Sequence, residues 1–576
     1  PCYTYWGDYG IVYQQGQYLR VARLDRSGPK PAILKGSCRT IHETFGFFQC
    51  AFVTAIGNWK IGSDQERSVI AANKLRRDAF AQLTGEIVEY CKLECRCLAM
   101  LMTELRQACT TAGILPRQWS GAGWLASALL EKHAVPKRPL TAKEIVAQAE
   151  KKPAKNSKPA ALRRPERDRA FEAAANHGYY GGRFEVSRIG AITGPVYEYD
   201  LKSAYTAAMP ELPCPLHTRW EHGRATELPH GELYLAKVSF SHPDGPWCGL
   251  PFRHRGRLFW PYQGTGWYWS PEIDAARQHL RANIVLHDLW IARHACDCRT
   301  FDWVQAVYDE RRRLGADTCG YPLKLALSSL YGKMAQRCGR GPYHDPVSAG
   351  LITAITRARL IEALGQNPQS VVMLATDAVF STQRLALDVG ERLGQWEEKV
   401  WPDLFIAQPG VYWSPTHLEK SVKSRGAPRS VIGTAAQRFH EVFADWLDVM
   451  RRPGAMPLVL KERLIPSVPV TVRVFYGHRL ALARGKPYLA GQWEDVTRQE
   501  TFEWTTKRDP MRIVLGDGHL TTFPYNLPIL TESEGYKPAD FDKLLEISTE
   551  HGAAEKIDEN MLLEAMPDFA PFLPHE

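Results

Sequence analysis

No stretch of this 576-residue chain strings together the ~18–20 apolar residues that a membrane-spanning helix needs. No secretory leader is visible at its start, so a reduced, cytoplasmic setting is the expectation. The 13 cysteines are odd in number and scattered, which excludes a disulfide framework. Cys91, Cys95 and Cys97 fall in a helical pattern, and Cys296-Asp297-Cys298 follows His294. Neither group has a second half at zinc spacing, so neither reads as a metal site. There is no internal repeat. Acidic residues are the lesser charge, 63 against 72 Lys and Arg, and the imbalance is local. Between Lys132 and Arg169 stand 12 Lys/Arg and 4 Asp/Glu. Such a run suits a polyanionic partner or a solvated linker.

What is present is ordinary globular material, 44% apolar and 23% charged, in a chain too long for one core. The 17 Trp and 23 Tyr serve base stacking and packing alike. Residues 1–115 mix short strands (Ile11–Tyr13, Tyr18–Ala22) with helices, of which Ile87–Met102 is strongly amphipathic. Residues 116–175 are basic, carry six prolines and read as a connector with short helices. Val196–Leu201 reads as a strand, and 211–295 as largely β. Helical periodicity returns at Phe301–Leu314, Tyr321–Gln336 and Ala349–Leu364, followed by strands at Val371–Leu374 and Val379–Ser381.

Three short segments carry the chemistry. Asp200 ends the alternating run Val196-Tyr-Glu-Tyr-Asp200, where a strand end aims a carboxylate rigidly and the Leu201 carbonyl adds an oxygen. Asp377 stands between two short apolar strands, at the expected tip of a hairpin. If those strands share a sheet, two carboxylates converge, as Mg²⁺ requires with its oxygen ligands at about 2.0–2.1 Å. Two such ions about 3.5–4 Å apart activate a hydroxyl and hold a leaving pyrophosphate. Lys324, Ser328 and Tyr331 are spaced i, i+4, i+7 on one helix face. That lysine can hold a triphosphate and protonate its leaving group, the tyrosine can pack on a base pair, and Gly332 permits close backbone approach. Each feature has a plainer reading: a turn aspartate, a snorkelling lysine, a core tyrosine.

Taken in order, the segments resemble the motifs of family B DNA polymerases, and most closely the small protein-primed phage and plasmid type. Asp200-Leu-Lys-Ser203-Ala204-Tyr205 is similar to Asp-x-x-Ser-Leu-Tyr. Lys324-Leu-Ala-Leu-Ser328-Ser329-Leu-Tyr331-Gly332 is similar to Lys-x-x-x-Asn-Ser-x-Tyr-Gly, and Ala375-Thr376-Asp377 to Asp-Thr-Asp. Tyr179-Tyr180-Gly181-Gly182 resembles the Tyr-x-Gly-Gly turn, and Lys423-Ser-Arg425-Gly426 falls where the family has Lys-x-Tyr. Order and spacing agree over about residues 87–430.

The resemblance implies an α+β multidomain, right-hand fold: an antiparallel palm sheet, helical fingers, a thumb and a partial ribonuclease-H-like exonuclease. Its boundaries would be 1–115 exonuclease-like, 116–175 linker, 176–300 palm, 301–345 fingers, 346–440 palm, and 441–576 thumb and C-terminal region. It implies Asp200, Leu201 and Asp377 as ligands of two Mg²⁺ ions, with Mn²⁺ able to substitute, and Lys324 as the catalytic triphosphate contact. Ser203, Tyr205, Arg311, Ser328 and Tyr331 would meet the nucleotide, Tyr205 as the gate that excludes a 2′ hydroxyl. Tyr179, Gly181, Gly182 and Lys423 would meet DNA. The implied partners are primer-template DNA, dNTPs and a terminal protein primer, and the implied state is a monomer.

Several positions depart from the family pattern. Ala375 removes one carboxylate of the third motif, Ser328 shortens an asparagine, and Arg425 replaces a tyrosine. Residues 1–115 are expected to lack the early Asp-x-Glu pair of an exonuclease and to keep only Tyr90-x-x-x-Glu94, with Glu for Asp. With Pro at the first position, this reads as an exonuclease whose front is missing. The twelve residues Arg337–Ser348 leave little room for the strand-displacing hairpin of protein-primed relatives. Two rival readings remain at this point: a non-catalytic DNA-binding relic, and another palm-type polymerase that copies RNA or makes primers.

Overall fold

The computed structural model describes residues 4–6, 8–14, 18–28, 32–34, 36–42, 44–76, 84–149, 161–223, 227–254, 256–294, 296–315, 319–336, 341–424, 429–450, 467–476, 484–489, 493–501, 512–516, 520–524 and 532–536. Two compact units are interleaved along the chain. One is formed by 1–164 and 299–344, the other by 165–298 and 345–576.

The first unit opens with an antiparallel sheet in which Tyr18–Asp25 pairs with Tyr9–Gln14, Ala32–Ile33 and Arg39–His42. Helices follow. Gly85–Thr111 is the longest, and its buried Tyr90, Cys97, Leu101, Leu105 and Ala108 make one stripe at three-, four- and seven-residue spacing. Thr84 caps it, its hydroxyl accepting the Ile87 N–H. The spacing Asp64-Gln65-Glu66 does give an Asp-x-Glu within the first 115 residues, which corrects the expectation that none stands there. These residues open the Asp64–Leu75 helix, where Ser63 and Glu66 form a reciprocal capping box. Glu66 also pairs with Arg96, and Asp64 with Arg67. Glu94 is ion-paired to Lys74 at 2.7 Å.

Within the stretch expected to be a connector, Ala122–Lys132 is a helix that buries Leu125, Ala126, Leu129 and Leu130. It packs on the Tyr321–Ala335 helix, whose Leu323, Ala326, Leu327, Leu330 and Met334 are buried. Residues 150–160 of that stretch lie outside the described residues. Between the Trp303–Leu314 and Tyr321–Ala335 helices the turn returns through Gly320. A Cβ there would strike the carbonyl oxygens of Arg311 and Gly315, so only glycine closes the pair this tightly.

The second unit is built on a five-stranded antiparallel sheet in the order Trp396–Trp401, Val196–Leu201, Ala378–Ser381, Val371–Thr376, Arg183–Val186. The Pro346–Gln366 helix is apolar on nearly every side and buried from Val347 to Ala358 and at Leu360, Ile361, Ala363 and Leu364, as befits an element enclosed on all faces. Its start is fixed by Asp345, which accepts the Val347 N–H and the Ser348 hydroxyl and pairs with Arg167. A second sheet orders Gln263–Trp269, Tyr234–Ser241, Asn283–Arg293 and Arg219–His222, with the Ser270–Leu280 helix beside it. A third joins Val411–Trp413, Leu404–Gln408, Arg188–Ile192, Leu520–Pro524 and Arg512–Gly516. Trp401, Phe405, Trp413, Phe439 and Phe443 share one apolar core in this unit.

Candidate active site

Asp200 and Asp377 come together through backbone pairing. The ladder sets Ala378 opposite Asp200, so the next residue back, Asp377, lies beside Leu201. The Leu201 N–H donates to the Asp377 carbonyl at 2.9 Å, and the Asp377 N–H turns back to the Ala375 carbonyl at 2.8 Å. The hairpin tip expected from sequence is therefore present, and it is strained. Thr376 has φ 64°, a left-handed conformation that costs a β-branched residue roughly 1–3 kcal/mol. Ser203 has φ 51° where the chain leaves the strand for the short Ala204–Ala207 helix. Strain thus stands next to both carboxylates.

The electrostatics favour a cation. Asp200 is exposed to solvent, yet protein crowded around it strips part of its hydration and pushes its pKa up to about 7, with Asp377, Glu198 and Glu397 adding negative charge and Lys202 opposing them. Burial also raises Asp377. Lys202 is itself held by Glu391 at 3.0 Å, which limits its relief of the crowding. Tyr412, which the sequence reading did not single out, is buried and raised further by Glu198 and Asp200. Its backbone exchanges hydrogen bonds with Lys423 at 3.1 and 2.8 Å. Lys423 is thereby tied to the Val411–Trp413 strand, while Arg425 and Gly426 lie outside the described residues.

Tyr205 converges on the same place. A Cβ on Gly182 would come within 3.0 Å of the Tyr205 hydroxyl and 2.8 Å of Thr376 Cγ2. The Tyr-x-Gly-Gly turn, the tyrosine and the hairpin tip therefore meet where only glycine fits. Burial pushes Tyr205 up to about 12, with Arg357 opposing and Asp377 and Tyr179 adding to the shift.

Three further residues hold the turn, and sequence reasoning missed them. Arg357 Nη1 donates to the carbonyls of Tyr180 at 2.8 Å and Gly181 at 2.9 Å. Its guanidinium also grips Glu272 at 2.8 and 3.0 Å. Both side chains are essentially inaccessible, at 1% and 0% exposure. Arg253 Nη2 donates to the Tyr179 carbonyl at 2.7 Å. The available signal was an arginine in the middle of a largely apolar helix, since a buried charge must have a partner.

Lys324, Ser328, Tyr331 and Arg311 belong to the other compact unit. Lys324 and Tyr331 are half-buried and Ser328 is exposed. Nothing within 4 Å would obstruct a Cβ on Gly332. Of the three clustered arginines, Arg313 is forked onto Glu310 at 2.7 Å, whereas Arg311 lies 5.4 Å from the Tyr308 ring centre.

The elements and the paired carboxylates define a mixed α/β, multidomain fold resembling the right-hand polymerases. The family model described as "DNA polymerase type B, organellar and viral" matches residues 63–341. Among solved structures, Phi29 DNA polymerase in an orthorhombic crystal form is 15% identical with a TM-score of 0.56, over 86% of this chain and 85% of that one. The Phi29 polymerase complex with primer-template DNA and incoming nucleotides is 14% identical, TM-score 0.55, over 87% of each chain. No curated protein sequence matches. Over most of its length the chain thus has the fold seen in Phi29 DNA polymerase. Among the described residues no helix is long and apolar enough to cross a membrane.

Proposed function

We propose that this protein is a template-directed DNA polymerase that adds dNTPs to a primer 3′ hydroxyl during phage or plasmid replication. The observation that carries this reading is the pairing of Asp200 and Asp377 through the Leu201–Asp377 backbone bond, within a fold aligned to Phi29 polymerase over 86% of the chain. An Asp200 pKa lifted to about 7 by burial and like charge fits a site made for divalent cations. Asp200, Asp377 and the Leu201 carbonyl would hold two Mg²⁺ ions, for which Mn²⁺ can substitute. When bound, the metals lower the pKa of the attacking hydroxyl and neutralise charge on the departing pyrophosphate.

The chain's own groups do the rest. Tyr205, braced by Gly182, excludes a ribose 2′ hydroxyl from the sugar position. Lys324 and Arg311 bind the triphosphate, Lys324 as a mobile donor of the proton that leaves with pyrophosphate and Arg311 as a fork. Ser203, Ser328 and Tyr331 complete the nucleotide contacts. Tyr179, Gly181 and Gly182 pass the template backbone, and Lys423 meets the primer end. In this reading the strand pair is the palm, the 301–345 helices are fingers, and the segment after 440 is a thumb. The protein works as a cytoplasmic monomer, started by a terminal protein primer.

Primer extension with dNTPs or NTPs on DNA and RNA templates tests this. Incorporation of dNTPs on DNA is the expected result. Binding of DNA with no incorporation would favour a relic, and preferred use of NTPs or an RNA template a different palm-type polymerase.

A further inference from the structure

Cys296-Asp297-Cys298 reads in the sequence as a half-site without a partner. The fold supplies the partner from some 80 residues upstream. Residues Cys214–Thr218 form a turn, closed by the Thr218 N–H on the Cys214 carbonyl at 3.1 Å, that leads into the Arg219–His222 strand. Cys296 and Cys298 follow the end of the Asn283–Arg293 strand. Those strands pair antiparallel with Arg219 opposite Arg293, so the start of one and the end of the other coincide and their flanking segments meet. Thr218 Oγ1 and His294 Nδ1 already bridge them at 3.4 Å.

The side chains of Cys214, His217, Cys296 and Cys298 each offer one ligand atom, and all four atoms lie within 4.8 Å of one another. His217 Nδ1 is 3.5 Å from Cys214 Sγ and 3.5 Å from Cys298 Sγ. A zinc tetrahedron with Zn–S of about 2.3 Å and Zn–N of about 2.0–2.1 Å has sulfur-to-nitrogen edges of about 3.5 Å. The spacing is therefore that of ligands around a shared centre. Three sulfurs and one imidazole select zinc and reject the magnesium of the carboxylate site. Four protein ligands leave no position for water, which makes the site structural.

We propose that Cys214, His217 (through Nδ1), Cys296 and Cys298 bind one structural zinc ion, which staples the two ends of this strand pair. Three thiols give up their protons on binding, and His217 ligates as the neutral imidazole. Cys298 is also the last residue of its unit before the chain passes to the other, so the staple fixes that exit point.

The test uses the full chain, purified without chelator or a histidine tag. Elemental analysis is expected to find about one zinc per chain, lost in Cys214→Ser with Cys298→Ser. Should the variant misfold, the unmutated protein decides the matter. Its thiols are alkylated with iodoacetamide, as purified and after a chelator has removed the zinc, and read by peptide mass. Cys214, Cys296 and Cys298 should label about tenfold or more slowly with zinc, while the exposed Cys38, Cys91 and Cys95 are unchanged. Replacement of zinc by cobalt should give the thiolate charge-transfer absorption of a tetrahedral site. Equal labelling with and without zinc, retention of zinc by the double variant, or a disulfide among the three cysteines would overturn the proposal.

Discussion

Substituting Asp200 or Asp377 by Asn keeps the shape and removes the charge. Each variant should lower incorporation by on the order of 10³ while leaving DNA affinity nearly intact, because Lys and Arg contacts to phosphate dominate binding. Steady-state extension alongside a binding isotherm separates the two effects. The raised pKa of Asp200 adds a pH signature. Without metal, the folded protein holds a proton that the unfolded chain, with a pKa near 3.8, sheds well before pH 7. Stability from this group is therefore greatest at low pH and declines as pH rises from 3.8 towards about 7. Thermal melts of the metal-free protein should show that decline, and Asp200→Asn should lack it. His242 acts with the opposite sign. Its Nε2 accepts the Gly249 N–H at 3.1 Å, and burial, helped by the Arg183 charge, depresses its pKa to about 4. The folded state resists a proton that the unfolded chain takes up near pH 6.5. Stability worth about 3 kcal/mol is thus present above that pH and lost as pH falls towards 4; His242→Gln should flatten that part of the profile. For the sugar gate, Tyr205→Val should admit ribonucleotides far more readily. Gly182→Ala, which forces the Tyr205 hydroxyl and Thr376 aside, should disturb the same selectivity. Unchanged discrimination in both would place the gate elsewhere.

At the scale of the element, the Pro346–Gln366 helix and the turn it grips are the most sensitive pair. Glu272→Leu leaves the Arg357 guanidinium buried against a hydrocarbon and should cost about 3–5 kcal/mol. Chemical denaturation would measure it, and a change under 1 kcal/mol would mean that Arg357 finds other partners. This helix also shows what the sequence could and could not reveal. Its periodicity located it within three residues at each end, because an apolar run at helical spacing is a local signal. Arg357 showed only as a charge within an apolar run that needs a partner; which partners it has was not legible, because Glu272 and the Tyr180 and Gly181 carbonyls lie 85 and about 176 residues away. Asp200 and Asp377 were legible because strand ends and hairpin tips are local, and the family order supplied their pairing. The Cys214 cluster was not, because only the Arg219–Arg293 register joins its halves. The Asp64-Gln65-Glu66 spacing was overlooked, and its helix-cap role would have been visible in Ser63 three residues before Glu66.

On the scale of the whole molecule, two absences of activity are expected. The protein should not degrade a 3′ single strand in Mg²⁺. Glu94 is committed to Lys74, and Asp64 and Glu66 to arginines and a helix start, so these carboxylates have structural work. The protein should also stall at a downstream duplex, since only ten residues part the Tyr321–Ala335 and Pro346–Gln366 helices. A labelled-strand degradation assay and a gapped-template extension assay test the two separately. Efficient displacement would assign the wedge to another segment.

The interleaving of the two units also sets a schedule for the ribosome. The Ala122–Lys132 helix emerges with an apolar face whose partner, Tyr321–Ala335, is about 200 residues away. At about 5–20 residues per second that face waits about 10–40 s. The Arg183–Val186 strand waits similarly for Val371–Thr376. Neither unit can finish before the other has begun, so nascent chains halted near residue 300 should be chaperone-bound or insoluble, and slowing translation there should lower the yield of folded protein.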